Sequence, residues 1–202
     1  AANIFARACC YGGLHIYGKR EYHSNIKGLH SYFHIRVSPK EVGADVDRVD
    51  LLCTFDAESV VRHVWEVATG GGIICDTEVL GTRILDIPTW PRPFIEEFKK
   101  TLSERGMRVE TVDDLLKEAE KNNVRTYAVP YMALLKEVAE EIGEGKLSKL
   151  TRMINVLSLG ASFGLVNYDR SRVEKAIRMI FGEKPKIVST NILAFGKAYD
   201  YA

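Results

Sequence analysis

The segment 18–28, GKREYHSNIKG, gathers the cations Lys19, Arg20 and Lys27 around the hydroxyl of Ser24 and the carboxamide of Asn25. Ammonium and guanidinium groups neutralise phosphate, while hydroxyl and amide groups hydrogen-bond phosphoryl or amide oxygens. Gly18 and Gly28 bound the segment, and a glycine lets backbone come close to a ligand. These residue types suit a phosphorylated ligand. They suit a solvated charged loop as well, and the residues alone leave both open.

Other constellations carry less. His30 and His34 share one face of a strand-like run, but four residues at ~3.3 Å each put them about 13 Å apart. Ligands of one zinc must each lie about 2 Å from it, so this pair shares none and no metal site is expected. Cys9, Cys10, Cys53 and Cys75 include no C-x-x-C pair, which suits neither zinc nor an iron–sulfur cluster. On a helix, adjacent Cys9 and Cys10 diverge by roughly 100°, a poor geometry for a disulfide. Cys53 and Cys75 fall in apolar runs and are expected to be buried thiols. Ser24, His63 and Asp76 can be drawn as a triad, but a chain of this size offers many such trios. No catalytic residue is expected.

The elements that must position these residues follow from pattern. Residues 1–11 read as a helix ended by Gly12 and Gly13. Residues 14–17 read as a short strand, 18–28 as a loop, and 29–37 as a strand. In that strand Leu29, Ser31, Phe33, Ile35 and Val37 alternate with His30, Tyr32, His34 and Arg36. Residues 49–55 are a more continuously apolar strand. Asp56 caps a helix over 57–68, three glycines at 70–72 break it, and 73–75 resume the sheet. Strand, helix and strand in such short compass make a βαβ unit and a parallel sheet. The loop at 18–28 is then expected at the carboxyl end of a strand in that sheet, where ligands collect.

Three prolines interrupt 87–93, two amphipathic helices follow over 94–106 and 112–123, and 125–129 read as a strand. The tail is helical: an apolar stretch over 147–166, then a helix capped by Asp169 and ended by Gly182. The expected fold is α/β: a three-layer α/β/α arrangement with a mostly parallel sheet, a helical insertion and a helical C-terminal tail.

The chain has 202 residues, 46% hydrophobic and 27% charged, enough for one domain with a full core. Its net charge is +1, so no global field points to nucleic acid or an anionic membrane. No apolar run approaches the roughly 20 residues of a membrane span. Reduced thiols point to a cytoplasmic setting.

GGLHIYGKREYHSNIKGLHSYFHIRVS, followed by VDLLCTFDAESVVRHVWEVATGGGIICD, resembles the gamma domain of 2-oxoacid:ferredoxin oxidoreductases. NVLSLGASFGL and the closing helix FGEKPKIVSTNILAFGKAYDY resemble that family's last helices. The likeness covers about 1–82 and 147–202. The middle, 85–125, resembles the insertion of archaeal-type members in which gamma and alpha domains are fused.

This resemblance implies a single gamma-type domain over 1–202. The family's N-terminal strand and glycine-rich turn are expected to precede residue 1. It implies oxidative decarboxylation of a 2-oxoacid, pyruvate among the candidates, with coenzyme A and ferredoxin. Thiamine diphosphate and iron–sulfur clusters belong to the alpha and beta parts, and this domain helps hold coenzyme A. By position, Ser24, Asn25, Lys27 and Gly28 match the family loop that approaches the coenzyme. The rival expectations are a free-standing flavodoxin-like nucleotide or flavin module and a purely structural docking domain.

Overall fold

The computed structural model describes residues 1–22 and 30–202. The chain forms two compact units, Ala1–Asp47 with Tyr131–Ala202, and Arg48–Pro130.

The first unit opens with α1 (Ala2–Tyr11), which buries Ile4, Ala8 and Cys9. Gly13 then takes φ 79°, a left-handed turn that glycine makes without Cβ strain. β1 (His15–Tyr22) pairs antiparallel with β2 (Ser31–Ser38), with His15 opposite Ser38 and Tyr22 opposite Ser31. Two expectations are corrected here. The strand does not stop at 17, because Lys19 finds Glu21 at 2.5 Å and Asp45 at 3.5 Å, so a charged run is accommodated in a ladder. And β1 belongs to an antiparallel pair, so the strand-end rule for parallel sheets does not apply to the segment after it. The alternation along β2 is present, yet its apolar side is the more open one. Phe33 and Val37 are exposed, whereas Tyr32, His34 and Arg36 are half-buried.

The second unit contains the parallel sheet. β3 (Val49–Cys53), α2 (Ala57–His63) and β4 (Val67–Asp76) form the βαβ unit, with Cys53 opposite Ile74. Asp56 caps α2 by accepting from the Ser59 amide at 2.7 Å. The helix ends at His63, short of 68, because β4 already begins at Val67. The glycines at 70–72 therefore lie inside a strand. Gly70 has φ 85°, and a Cβ on Gly71 would stand 2.8 Å from the Asp50 carbonyl. The register against β3 shifts at this point, as a bulge requires.

α3 (Arg92–Glu104) and α4 (Val112–Lys121) lead to β5 (Arg125–Val129), which runs parallel to β4 and gives the order β3-β4-β5. A capping box of Thr111 and Asp114 starts α4. Its Leu115 and Leu116 join Phe98 of α3, Val60 and Val61 of α2 and Ile73 of β4 in one core. The sequence segment 85–125 thus supplies much of this unit's interior.

The first unit resumes with α5 (Tyr131–Ile142), a helix the sequence patterning did not single out. α6 (Ile154–Leu165), α7 (Arg170–Phe181) and α8 (Pro185–Tyr201) complete it. Asp169 caps α7 through the Ser171 amide at 3.0 Å. α6 is buried over Val156–Phe163 and lies against α8. No helix among the described residues is long and apolar enough to cross a membrane.

α6 and α8 touch backbone to backbone. A Cβ at Gly160 would collide with the Phe195 carbonyl and stand 2.9 Å from the Ala198 methyl; one at Gly164 would stand 2.6 Å from the Tyr199 carbonyl. Gly160→Ala gains about 1 kcal/mol of helix propensity but forces two helices apart. A net loss of about 1–3 kcal/mol is expected, the range for overpacking, read as a lower denaturant midpoint. Gly145→Ala, which meets nothing within 4 Å, is the control expected to stay near wild type.

Candidate functional site

Ser24, Asn25, Lys27 and Gly28 all lie outside the described residues, as does the rest of 23–29. What is described is the frame on either side. Tyr22 and Ser31 are paired across the ladder, so the two ends of the segment are held side by side. Short antiparallel pairing of this kind fixes where a connecting segment starts and stops, and such segments commonly carry binding residues.

The frame also sorts the cations. The Glu21 hydrogen bond, with the Asp45 and Glu21 charges, holds the Lys19 ammonium above its ordinary pKa. Lys19 is thus committed to carboxylates and is not the free cation its position in the sequence suggested. Arg20 is exposed and stands opposite Phe33 in the ladder. Arg36 donates to the Ala44 carbonyl at 3.0 Å.

Sequence reasoning missed the aromatic row on the other side of β2. The rings of His30 and Tyr32 are 5.7 Å apart, and those of Tyr32 and His34 are 5.3 Å apart, both tilted. The signal was the i, i+2 spacing of three rings, read for metal ligation and not for stacking. Among the described residues no three His, Cys, Asp or Glu side chains come together in a way that holds a metal.

The remaining candidates resolve into local structure. His63 Nδ1 meets Glu66 at 2.9 Å, and Asp76 accepts from the Glu78 amide at 3.1 Å. Each is engaged within its own turn. None of the four cysteines forms a disulfide: Cys9 and Cys75 are buried, Cys10 is exposed, and Cys53 is half-buried, more open than expected. A groove of about 740 Å³ in the first unit is lined by Arg170, Arg178 and Lys197. Its cations are engaged: Arg170 meets Glu174 and Asp200, each at 3.1 Å, and Lys197 meets Glu137 at 3.5 Å and Glu141 at 3.2 Å. That leaves little unneutralised charge for an anionic ligand.

A parallel βαβ sheet in one unit, and an antiparallel strand pair on a helical scaffold in the other, define an α/β protein. The chain belongs to the pyruvate ferredoxin/flavodoxin oxidoreductase family, whose model matches residues 1–201. It is 36% identical over 200 residues to the alpha subunit of 2-oxoacid:ferredoxin oxidoreductase 1 of Sulfurisphaera tokodaii, covering 99% of this chain and 31% of that subunit. It is 33% identical to the alpha subunit of 2-oxoacid:ferredoxin oxidoreductase 2 of Aeropyrum pernix, covering 100% of this chain and 31% of that subunit. The chain therefore spans about 31% of the length of these curated relatives.

Among solved structures, it is similar to 2-oxoglutarate:ferredoxin oxidoreductase of Magnetococcus marinus, solved with 2-oxoglutarate, coenzyme A and succinyl-CoA bound. The TM-score is 0.65 at 20% identity, over 96% of this chain and 27% of that one. It is also similar to a keto/oxoacid ferredoxin oxidoreductase gamma subunit of Geobacter sulfurreducens, with TM-score 0.57 at 15% identity, over 98% of this chain and 86% of that one. At these identities the solved structures establish the fold.

The thiols report on the packing of both units, Cys9 and Cys10 in α1 and Cys75 in β4. Burial, then the neighbouring Cys10, pushes Cys9 up to about 11, and burial, then Asp76 and Asp113, pushes Cys75 up to about 11. Thiolate is the reactive form, so iodoacetamide at pH 8 is expected to label exposed Cys10 first and to spare Cys9 and Cys75 until the chain unfolds. The unfolded chain releases these protons from the ordinary value of 9.0, earlier than the folded one. Their contribution to stability is thus complete below pH 9 and is lost as pH rises toward about 11. Peptide mass mapping and alkaline unfolding midpoints measure both effects.

Proposed function

We propose that this chain is a gamma-type domain of a 2-oxoacid:ferredoxin oxidoreductase and that its segment 23–29 contributes to coenzyme A binding. The observation that carries the proposal is the β1–β2 frame, which holds side by side the ends of a segment bearing Ser24, Asn25, Lys27 and Gly28. Family membership along residues 1–201 supports it, as does the likeness to a structure solved with coenzyme A bound.

The enzyme as a whole decarboxylates a 2-oxoacid oxidatively, passes electrons to ferredoxin and transfers the acyl group to coenzyme A, releasing CO2. Thiamine diphosphate and iron–sulfur clusters sit on alpha and beta parts, and this domain is inactive alone. Residues 1–202 act as one functional domain in this scheme, with 85–125 as its insertion, in a cytoplasmic complex.

Each residue has a defined task. Lys27 neutralises a coenzyme phosphate as a compact point charge, and Gly28 lets backbone approach it. Ser24 and Asn25 hydrogen-bond the phosphates or the pantetheine amides. None of them moves a proton or an electron in the reaction. Their effect is to hold the acceptor thiol where the acyl group is delivered, which is catalysis by positioning.

Lys27→Ala in the intact enzyme is expected to weaken coenzyme A binding by about 1–3 kcal/mol, the range for hydrogen bonds to charged groups. That is roughly 5- to 150-fold, since each 1.4 kcal/mol is about tenfold. The apparent constant for coenzyme A rises, while that for the 2-oxoacid and the decarboxylation half-reaction stay near wild type. Lys27→Arg keeps the charge in a different geometry and gives a partial defect. An unchanged coenzyme A constant in Lys27→Ala contradicts the phosphate role and leaves the segment as a docking element.

A further inference from the structure

The contact between α1 and α7 contains a thioether that two hydrogen-bond donors face. Met179, on α7, is 58% exposed, whereas Met153 is buried and Met107 and Met132 are half-buried. The Tyr11 hydroxyl donates to Met179 Sδ at 2.7 Å, and Arg7 Nη1 donates to it at 3.3 Å. The Lys175 ammonium lies 4.5 Å from the centroid of the Tyr11 ring, so Tyr11 is held by two side chains of α7.

Thioether sulfur is a weak acceptor, and a guanidinium is a strong donor. The arrangement is therefore poorly matched as it stands. A sulfoxide oxygen bears far more negative charge than the sulfur and accepts strongly. The Tyr11 oxygen at 2.7 Å leaves no room for a new oxygen in line with it, so the exposed Met179 side chain must shift on oxidation to bring the sulfoxide oxygen to hydrogen-bond distance of both donors.

We propose that Met179 is a site of modification by hydrogen peroxide, and that Tyr11 and Arg7 hold the resulting sulfoxide so that oxidation tightens the α1–α7 contact. The sulfur lone pair attacks one peroxide oxygen, an S–O bond forms, and the O–O bond breaks. The departing hydroxide takes the proton from the transferred oxygen and leaves as water. Sulfur loses two electrons and the peroxide gains them, so no further reactant is needed. Methionine oxidation usually loosens packing, because it puts a polar group among apolar ones. Here the sulfur faces a cation and a hydroxyl, so the sign is reversed.

Limiting hydrogen peroxide, added to the intact protein and followed by peptide mass mapping, reads the site. Met179 is expected to gain one oxygen about threefold or more faster than Met107 or Met132, following exposure. Oxidation of Met107 or Met132 first overturns the assignment. Amide exchange in Ala2–Tyr11 reads the capture. It is expected to slow about threefold or more on oxidation, as added hydrogen bonds raise the cost of local opening. Tyr11→Phe keeps the ring and its Lys175 contact but removes the donor, so oxidation then leaves exchange unchanged or faster. Met179→Leu removes the peroxide response altogether. Faster exchange in oxidised wild type, or equal slowing in Tyr11→Phe, overturns the capture.

Discussion

The first unit depends on how closely two helix backbones approach. At Gly160 and Gly164 the surface of α6 has no side chain, and the carbonyls of Phe195 and Tyr199 on α8 occupy the space a Cβ would need. α8 in turn touches α5 and α7, α7 touches α1, and α1 touches both β1 and β2. The hairpin is therefore placed by a relay of helix contacts that begins at a pair of glycines. A two-stranded sheet alone is marginal in water, so this scaffold is what makes the hairpin a dependable frame. Burial of Phe163 and Phe195 adjacent to the glycines gives the close approach its apolar filling.

The second unit solves a different problem. Ile73, Ile74 and Cys75 of the middle strand β4 point alternately to its two faces and are all buried, so the run reads as uniformly apolar. The glycines just before that run lie where the register against β3 shifts, and their lack of side chains leaves room for the Asp50 carbonyl. α2 and α4 close one side through Val60, Val61, Leu115 and Leu116.

Much of this was legible in the sequence wherever a pattern had a local cause. The βαβ unit over 49–76 showed itself in an apolar strand, a capping Asp56 and a valine stripe. Asp169 marked the start of α7 for the same capping reason. The failures also have physical causes. β1 looked like a loop beyond 17 because its charges pair with Glu21 and Asp45, and Asp45 is distant in sequence. The end of α2 was misplaced because 64–68 carries valines that serve helix or strand equally, and the neighbouring strand decides. Pairing direction between β1 and β2 is a tertiary property, so no residue announced that it would be antiparallel. The candidate residues 24, 25, 27 and 28 were chosen on chemistry and resemblance, and the described structure shows the paired strand ends on either side of them.

That division shapes how the domain is proposed to work. The helices supply rigidity, the ladder fixes the ends of the segment, and the segment is proposed to supply the charge and hydrogen bonds that meet coenzyme A. The most direct measurement is amide hydrogen exchange of the intact enzyme with and without saturating coenzyme A. Protection is expected in peptides spanning 18–30, with little change across 112–129 in the second unit. Saturable binding of coenzyme A with unchanged exchange across 18–30, and protection confined to other parts of the enzyme, would contradict the proposed role of this segment.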